Sequence, residues 1–413
     1  MTKKEKEKKI IKEENVENIE GLPVLNVGIV GHIDHGKTTL LSRMTGKWTD
    51  QHSEELKRGI TIKLGYADAI IRVEKGIYST EKGKALRYVT FVDAPGHEML
   101  MATMLSGAAI MDAAILLVAA NEGVKPQTRE HLMALQAKNI TKVIIVQNKI
   151  DLVTKEEAQK NFKEIKEFVK GTIAENSIII PCSAQQNINV EKILEALTTI
   201  EVPERDNDTE PVFVIARSFD INRPGTKIKV MKGGVLGGAL KKGILKVGDE
   251  IMIKPGMTIK KGNQYSYEPI TTKIKSLSRG EHKITTAGPG GSLAIETLLD
   301  PSITKADSLS GNVVGIEGKL PEITERLTMK HTLFKEIFND KEKMLVETIK
   351  TGELLMLSVN TTITVGNVQK INPKEETIEM TLKIPVVNFI GEKAGIARNM
   401  KGHWRLIGWG EIL

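Results

Sequence analysis

Val27-Gly28-Ile29-Val30-Gly31-His32-Ile33-Asp34-His35-Gly36-Lys37-Thr38 carries an apolar run straight into a complete G-x-x-x-x-G-K-T string. A buried strand that delivers such a loop lets its glycines turn backbone N–H groups inward. The helix that follows points its positive end at a phosphate. In that arrangement Asp34, His35, Gly36, Lys37, Thr38 and Thr39 surround a nucleotide's phosphates, with Lys37 as a point charge on the outer ones and the Thr38 hydroxyl on Mg²⁺. Such a string also occurs as a glycine-rich turn that binds nothing, so the rest of the chain decides.

Outward from the loop, apolar runs alternate with helical patterns up to about residue 200. The runs are Val24–Val30, Val89–Val92, Ala114–Ala119, Val143–Gln147 and Ile178–Pro181; the helical patterns are Thr38–Thr45, Glu98–Ala109, Thr128–Ala137, Lys155–Val169 and Val190–Thr198. This alternation predicts a doubly wound, mostly parallel sheet covered by helices on both faces. After Pro203-Glu204-Arg205-Asp206-Asn207-Asp208 the texture changes to short β-branched runs cut by Gly, Pro and Lys-Gly turns: Val212–Arg217, Thr226–Val230, Ile251–Ile253 and Ser292–Ile295. That pattern reads as β-barrels. A second break at Gly318-Lys319-Leu320-Pro321 divides two of them. The expected organisation is a tail over 1–22, an α/β nucleotide-binding domain over 23–206, and β-barrel domains over 207–322 and 323–413.

Composition narrows the classes. The chain has 413 residues, too long for one core, and the length alone suggests about two to four domains. No apolar stretch approaches the roughly 18–20 residues needed to span a bilayer. Residues 1–20 mix Lys and Glu without an apolar segment, which predicts a fraying tail rather than a signal peptide. One cysteine, Cys182, excludes an intrachain disulfide and an all-thiolate zinc site. Cytoplasmic residence is the expectation. From Asn207 onward there are 30 Lys and Arg against 23 Asp and Glu, so the net charge of +7 lies in the second half. A basic surface there suits a polyanion such as nucleic acid, and a merely solvated surface fits the same numbers.

Four further strings fall in order. Arg58-Gly59-Ile60-Thr61 offers Thr61, a hydroxyl on a segment that can join the Mg²⁺ shell only when the γ-phosphate is present. Asp93-Ala94-Pro95-Gly96-His97 follows the run Val89–Val92. There Asp93 can hold Mg²⁺ through a water, the Gly96 N–H can meet the γ-phosphate, and His97 stands where a water-orienting side chain is needed. Asn148-Lys149-Ile150-Asp151 carries the base selection. A carboxylate accepts two N–H bonds from guanine, whereas adenine presents an acceptor at N1 and no amine at C2. Asn148 ties loops together, Lys149 lays its methylene stem over the ring, and Ser183-Ala184-Gln185 supplies backbone donors to the guanine oxygen. Five motifs, four of them at strand ends where a doubly wound sheet places its ligand, predict a GTP-binding domain.

In these strings the chain resembles the translational GTPases, which carry a P-loop GTP-binding domain followed by two β-barrels. Within that class it is similar to the gamma subunits of archaeal and eukaryotic translation initiation factor 2. The resemblance rests on Thr49–Arg58, Met99–Ala109, Lys232–Gly238, Leu299–Asp307 and Trp404–Gly410, and it covers nearly everything after residue 23. It implies GTP hydrolysis to GDP and phosphate, slow until a partner stimulates it, in a carrier of initiator methionyl-tRNA. The implied partners are the alpha subunit on the first barrel, the beta subunit on the GTP-binding domain, and the small ribosomal subunit; no membrane is implied. It also implies Mg²⁺ on Thr38 and Thr61, and a second ion at Asp34 and Gly59.

One departure stands out. Members of this family usually carry a four-cysteine zinc knuckle between the switch threonine and the D-x-P-G strand. Here the interval Arg72–Arg87 has no cysteine and no histidine. Tetrahedral zinc needs thiolates or imidazoles, so no zinc is expected and a short hairpin takes its place. Three other readings compete. A selenocysteine-specific elongation carrier lacks the Ser53–Arg58 and Gly233–Gly238 strings. The sulfate-activating GTPase subunit shares the architecture but serves a nucleotidyltransferase. A non-hydrolysing scaffold is disfavoured by Thr61, Asp93 and His97.

Overall fold

The computed structural model describes residues 19, 21–47, 64–94, 101–262, 264–339 and 342–413. The first sheet is built around β1 (Val24–Gly31). With β2 (Gly65–Glu74), β3 (Ile77–Ser79), β4 (Lys84–Asp93), β5 (Ala113–Ala119), β6 (Val143–Asn148) and β7 (Ile179–Pro181) it runs β3-β2-β4-β1-β5-β6-β7. β1 is parallel to both β4 and β5, and β5, β6 and β7 continue in parallel. Helices α1 (Lys37–Thr45), α2 (Met101–Ala108), α3 (Pro126–Ala137), α4 (Lys155–Val169) and α5 (Val190–Thr199) lie between the strands in sequence.

The period of two along each strand explains the two layers. Val27 and Ile29 of β1 pack with Leu40, Leu41 and Met44 of α1 and with Ile193 and Leu197 of α5. Val30, one residue out of phase, joins Met104 and Leu105 of α2, Leu132 and Leu135 of α3 and Ile165 of α4 on the other face. Strands buried on both faces read as continuous apolar runs, which is why they were legible.

β2 and β3 are absent from the expected list of strands. β2 runs antiparallel to β4, and β3 folds back on β2 through a turn at Lys75-Gly76, both at positive φ. This hairpin stands where the family's zinc knuckle is expected. Tyr78 of β3 packs against the core on the α5 side, so an aromatic anchor holds the hairpin.

The second half forms two barrels. β8 (Val212–Phe219), β9 (Val235–Lys242), β11 (Glu250–Lys261), β12 (Gln264–Arg279), β15 (Leu293–Thr297) and β16 (Val313–Ile316) run in the order β11-β16-β8-β9-β15-β12, closed by β11 on β12. β13 (His282–Ile284) adds to β12, and β10 (Leu245–Lys246) pairs with β14 (Thr286–Ala287). A Cβ on Gly238 of β9 would stand 1.9 Å from Val214 O, so the close approach of β8 and β9 demands glycine there. The run Thr226–Val230, read as a strand from its β-branched residues, instead has no regular structure at Thr226 and Lys227 and one 3₁₀ turn at Ile228–Val230.

The second barrel is a closed ring of β17 (Ile323–Leu333), β22 (Thr377–Val387), β21 (Thr362–Asn372), β20 (Leu354–Val359), β23 (Lys393–Met400) and β24 (His403–Ile412). β18 (Glu336–Asn339) and β19 (Glu342–Leu345) make a separate hairpin. Closure leaves no free edge in either ring. Among the described residues no helix is long and apolar enough to cross a membrane.

Candidate nucleotide-binding site

The phosphate loop leaves the carboxyl end of β1 and closes on α1. Asp34 (φ 61°) and Gly36 (φ 91°) both take left-handed conformations, which turn the backbone back on itself. A side chain at Gly36 would also meet Asn148 Nδ2 at 2.5 Å. Lys37 is buried, with its ammonium folded over the loop: Nζ donates to Gly31 O at 2.9 Å and to His32 O at 2.8 Å. The hydroxyl of Thr38 donates to Asp93 Oδ2 at 3.1 Å, and Asp93 is fully buried at the end of β4. Two hard oxygen donors thus meet beside the loop, a pairing that suits Mg²⁺. Asp34 is exposed on the loop.

His35 turns its side chain inward. Its ring is fully buried, with Nδ1 3.2 Å from Leu117 O. Burial pushes it down to about 4, so the ring is neutral. Its carbonyl accepts from Asn148 Nδ2 at 2.8 Å. Asn148 also accepts from Ala184 N at 3.0 Å, so one amide side chain joins the phosphate loop to the loop after β7. That is the tying role read from the sequence.

Lys149 takes a left-handed conformation (φ 60°) and its Nζ lies 3.2 Å from Glu122 Oε1. Burial opposes the charge on Glu122, but the hydrogen bond and charge of Lys149 outweigh it and hold the carboxyl below its usual range. Asp151 is exposed on the 3₁₀ turn Ile150–Leu152. Of the backbone donors at 183–185, Ser183 N goes to Ile188 O at 3.2 Å and Ala184 N goes to Asn148. The Gln185 N–H is the one that meets no acceptor among the described residues, while its carbonyl accepts from Arg43 Nη2 at 3.1 Å. Gly59, Thr61, Gly96 and His97, together with Arg58, lie outside the described residues.

Two residues supporting the loop were missed by sequence reading. His131 of α3 is buried, and its Nδ1 accepts from Gly31 N at 2.8 Å. Burial, reinforced by the Lys37 charge, pushes it down to about 3, which keeps that nitrogen unprotonated. Gln127, one turn earlier, accepts from Ile33 N at 3.4 Å. Their spacing of four residues along α3 is the only signal the sequence held. A groove of about 980 Å³ beside β7 and α5 opens among Val143 and Ile144, at the other end of β6 from Asn148.

A glycine loop at the switch of a doubly wound sheet, a buried carboxylate by its threonine and an N-K-x-D turn define a guanine-nucleotide-binding domain. Residues 22–203 match the family described as the elongation factor Tu GTP binding domain. Residues 325–412 match initiation factor eIF2 gamma, C terminal. The chain is 50% identical to translation initiation factor 2 subunit gamma of Methanocaldococcus jannaschii over 400 residues, covering 94% of this chain and 97% of that one. It is likewise 50% identical to the protein of the same name from Archaeoglobus fulgidus over 407 residues, 95% of each. The chain belongs to the family of translation initiation factor 2 gamma subunits, and it is a GTPase of translation initiation.

Solved structures give the same architecture at greater distance. A bacterial selenocysteine-specific elongation factor superposes with a TM-score of 0.74 at 23% identity; the match covers 95% of this chain but 58% of that one. Elongation factor SelB of Methanococcus maripaludis, in complex with the GTP analogue GppNHp, superposes with a TM-score of 0.71 at 25% identity, covering 95% of this chain and 79% of that one. The elongation-type reading therefore shares the fold, while relatives at twice the identity are initiation factors.

Proposed function

We propose that the chain is a GTP-timed carrier of initiator methionyl-tRNA, the core subunit of a factor completed by alpha and beta partners and acting on the small ribosomal subunit. The observation that carries this reading is 50% identity over 94% of the chain to a translation initiation factor 2 gamma subunit. In this reading Gly36, Lys37, Thr38 and Thr39, with the backbone of Asp34 and His35, hold the phosphates. Asp151 reads the guanine edge, Lys149 covers the ring, and Asn148, Ser183, Ala184 and Gln185 shape the base loop. Thr38 and Thr61 would hold Mg²⁺, with Asp93 acting through a water, and Asp34 and Gly59 would hold a second ion. When bound, the metal would supply positive charge against the phosphates. Gly96 senses the γ-phosphate and His97 orients the attacking water.

Hydrolysis then frees the switch segments and lowers tRNA affinity. Nothing in the motifs supplies a built-in arginine finger, worth about 10³–10⁵ in rate, so intrinsic turnover is slow and a partner accelerates it. Filter binding of initiator against elongator tRNA, with and without methionine and with GTP or GDP, tests the assignment. Tight binding only of methionylated initiator with GTP is the expected result. Equal retention of all four tRNA species overturns it.

A further inference from the structure

The three domains meet at the turn between β20 and β21. Asn360 holds a left-handed conformation there (φ 50°), and Thr361 reaches both other domains. The carbonyl of Thr361 accepts from Ser106 Oγ of α2 at 3.0 Å, and its hydroxyl donates to Ile215 O of β8 at 2.8 Å. Beside this turn lies a cavity of about 270 Å³. Its walls include Met111 and Lys138 from the first domain, Lys241 from the first barrel, and Asn360 and Glu392 from the second.

The charges in this cavity do not balance. Lys241 Nζ stands 2.9 Å from Glu392 Oε1 and 3.4 Å from Asn360 Oδ1, so that pair is matched. Lys138 is answered only by backbone: its Nζ donates to Ser358 O at 2.9 Å and to Lys393 O at 3.4 Å. An ammonium has three N–H groups, so one is left over. Asn360 is 4% exposed, and its Nδ2 meets no acceptor, while the buried Glu392 Oε2 meets no donor. Burial, aided by the Lys241 charge, pushes Lys138 down to about 7. The cavity therefore offers two kinds of free N–H donor, one free carboxylate oxygen and a lysine that a bound anion would hold in its charged form.

We propose that this three-domain cavity binds a small oxyanion that carries a proton, with hydrogen phosphate as the chemical type. Its charged oxygens accept from Asn360 Nδ2 and from the remaining Lys138 N–H, and its hydroxyl donates to Glu392 Oε2. Sulfate has the same shape and no proton at neutral pH. It would set lone pairs against Glu392 Oε2, where two like charges share a buried site. Affinity thus comes from Lys138 and Asn360, and selectivity from Glu392. An occupied cavity supplies the missing counter-charge where all three domains touch.

Isothermal titration of the full chain with GDP bound, at pH 7 and matched ionic strength, compares phosphate with sulfate. Phosphate is expected to bind at least about tenfold more tightly, the factor that 1.4 kcal/mol produces. Asn360→Asp keeps a residue that tolerates positive φ but turns a carboxylate on the anion, and should weaken phosphate at least about tenfold. Glu392→Gln provides an N–H donor in place of the free oxygen and should narrow or invert the preference over sulfate. Circular dichroism melts establish that each variant folds. If Asn360→Asp does not, Glu392→Gln still carries the test. Phosphate affinity unchanged in Asn360→Asp would mean that the ion sits at the nucleotide loop instead, and overturns the proposal. Equal weak uptake of both ions by every variant means that only water fills the cavity, and overturns it as well.

Discussion

The nucleotide face and the seam between the domains are built from opposite kinds of contact. At the nucleotide face a few residues close in sequence bend backbone around a space. Lys37 bonds carbonyls five and six residues away, Asp34 and Gly36 turn the loop through left-handed conformations, and the 3₁₀ turn presents Asp151. Along the seam, side chains reach partners hundreds of residues distant: Glu130 to Arg405 at 2.6 Å, Ser106 to Thr361, Lys138 to Ser358. The first kind leaves motifs in the sequence. The second leaves single charged or hydroxyl residues that look like any solvated surface. Helix α3 belongs to both, because Gln127 and His131 support the phosphate loop while Glu130, with Lys138 just past the helix end, engages the second barrel.

The largest expected effect tests the nucleotide face. Asp151→Asn should lower GTP affinity by roughly 10³-fold or more and move preference toward xanthosine triphosphate, since a site built to pair hydrogen bonds rejects a mismatch strongly. Fluorescent-nucleotide titration measures it, and unchanged GTP affinity removes Asp151 from base reading. Next comes the seam. Arg405→Met leaves Glu130 charged and buried, and should destabilise the chain by about 3–5 kcal/mol. Urea unfolding reads that loss. Were GTP affinity to fall as far as stability does, the two regions could not be treated as separate.

A pH series follows in size. His35 and His131 are neutral in the fold, at about 4 and about 3, so between those values and the ordinary 6.5 the unfolded chain binds more protons. The contribution of the two rings is therefore full above pH 6.5 and falls as the pH drops toward 4, by up to about 1.4 kcal/mol per unit for each ring. Lys138, at about 7 against an ordinary 10.5, works at the alkaline end: stability should rise with pH across that window. Lys138→Met should flatten the alkaline limb and leave the acidic one. The smallest effect belongs to Lys47→Ala. Its pair with Glu281 also crosses between domains, at 3.2 Å, but both side chains are exposed. A change of no more than about 1 kcal/mol is expected there, and a loss as large as that of Arg405→Met would show that exposure does not divide the two kinds of cross-domain pair.

Legibility followed range. The helix Lys155–Val169 was readable to the residue, because Thr154 and Glu157 form a capping box and apolar positions recur at helical spacing. β2 was missed because its alternating buried positions, Ala67, Ala69 and Ile71, include two small side chains that mark no apolar run. Thr226–Val230 was misread because β-branched residues also suit an exposed turn when no partner strand is at hand. Motif position put His35 in the phosphate loop, and packing under Leu117 turned its ring inward. His131 could not have been found, since nothing local distinguishes a buried imidazole on a helix from an exposed one.

The sequence alone carried the phosphate loop, the Asn148–Asp151 turn, the parallel strands and the helices of the first domain, and the change to β-barrels after Pro203. Those features depend on φ, on period and on residues within a few positions of one another, which a linear string records directly. Packing alone set His131 under the phosphate loop, made α3 serve both that loop and the second barrel, and left Lys138 beside Asn360 and Glu392 with only backbone partners. Each of those needs distant backbone to arrive within hydrogen-bond range, and the free energy that brings it there comes from the packed cores, not from the residues that meet.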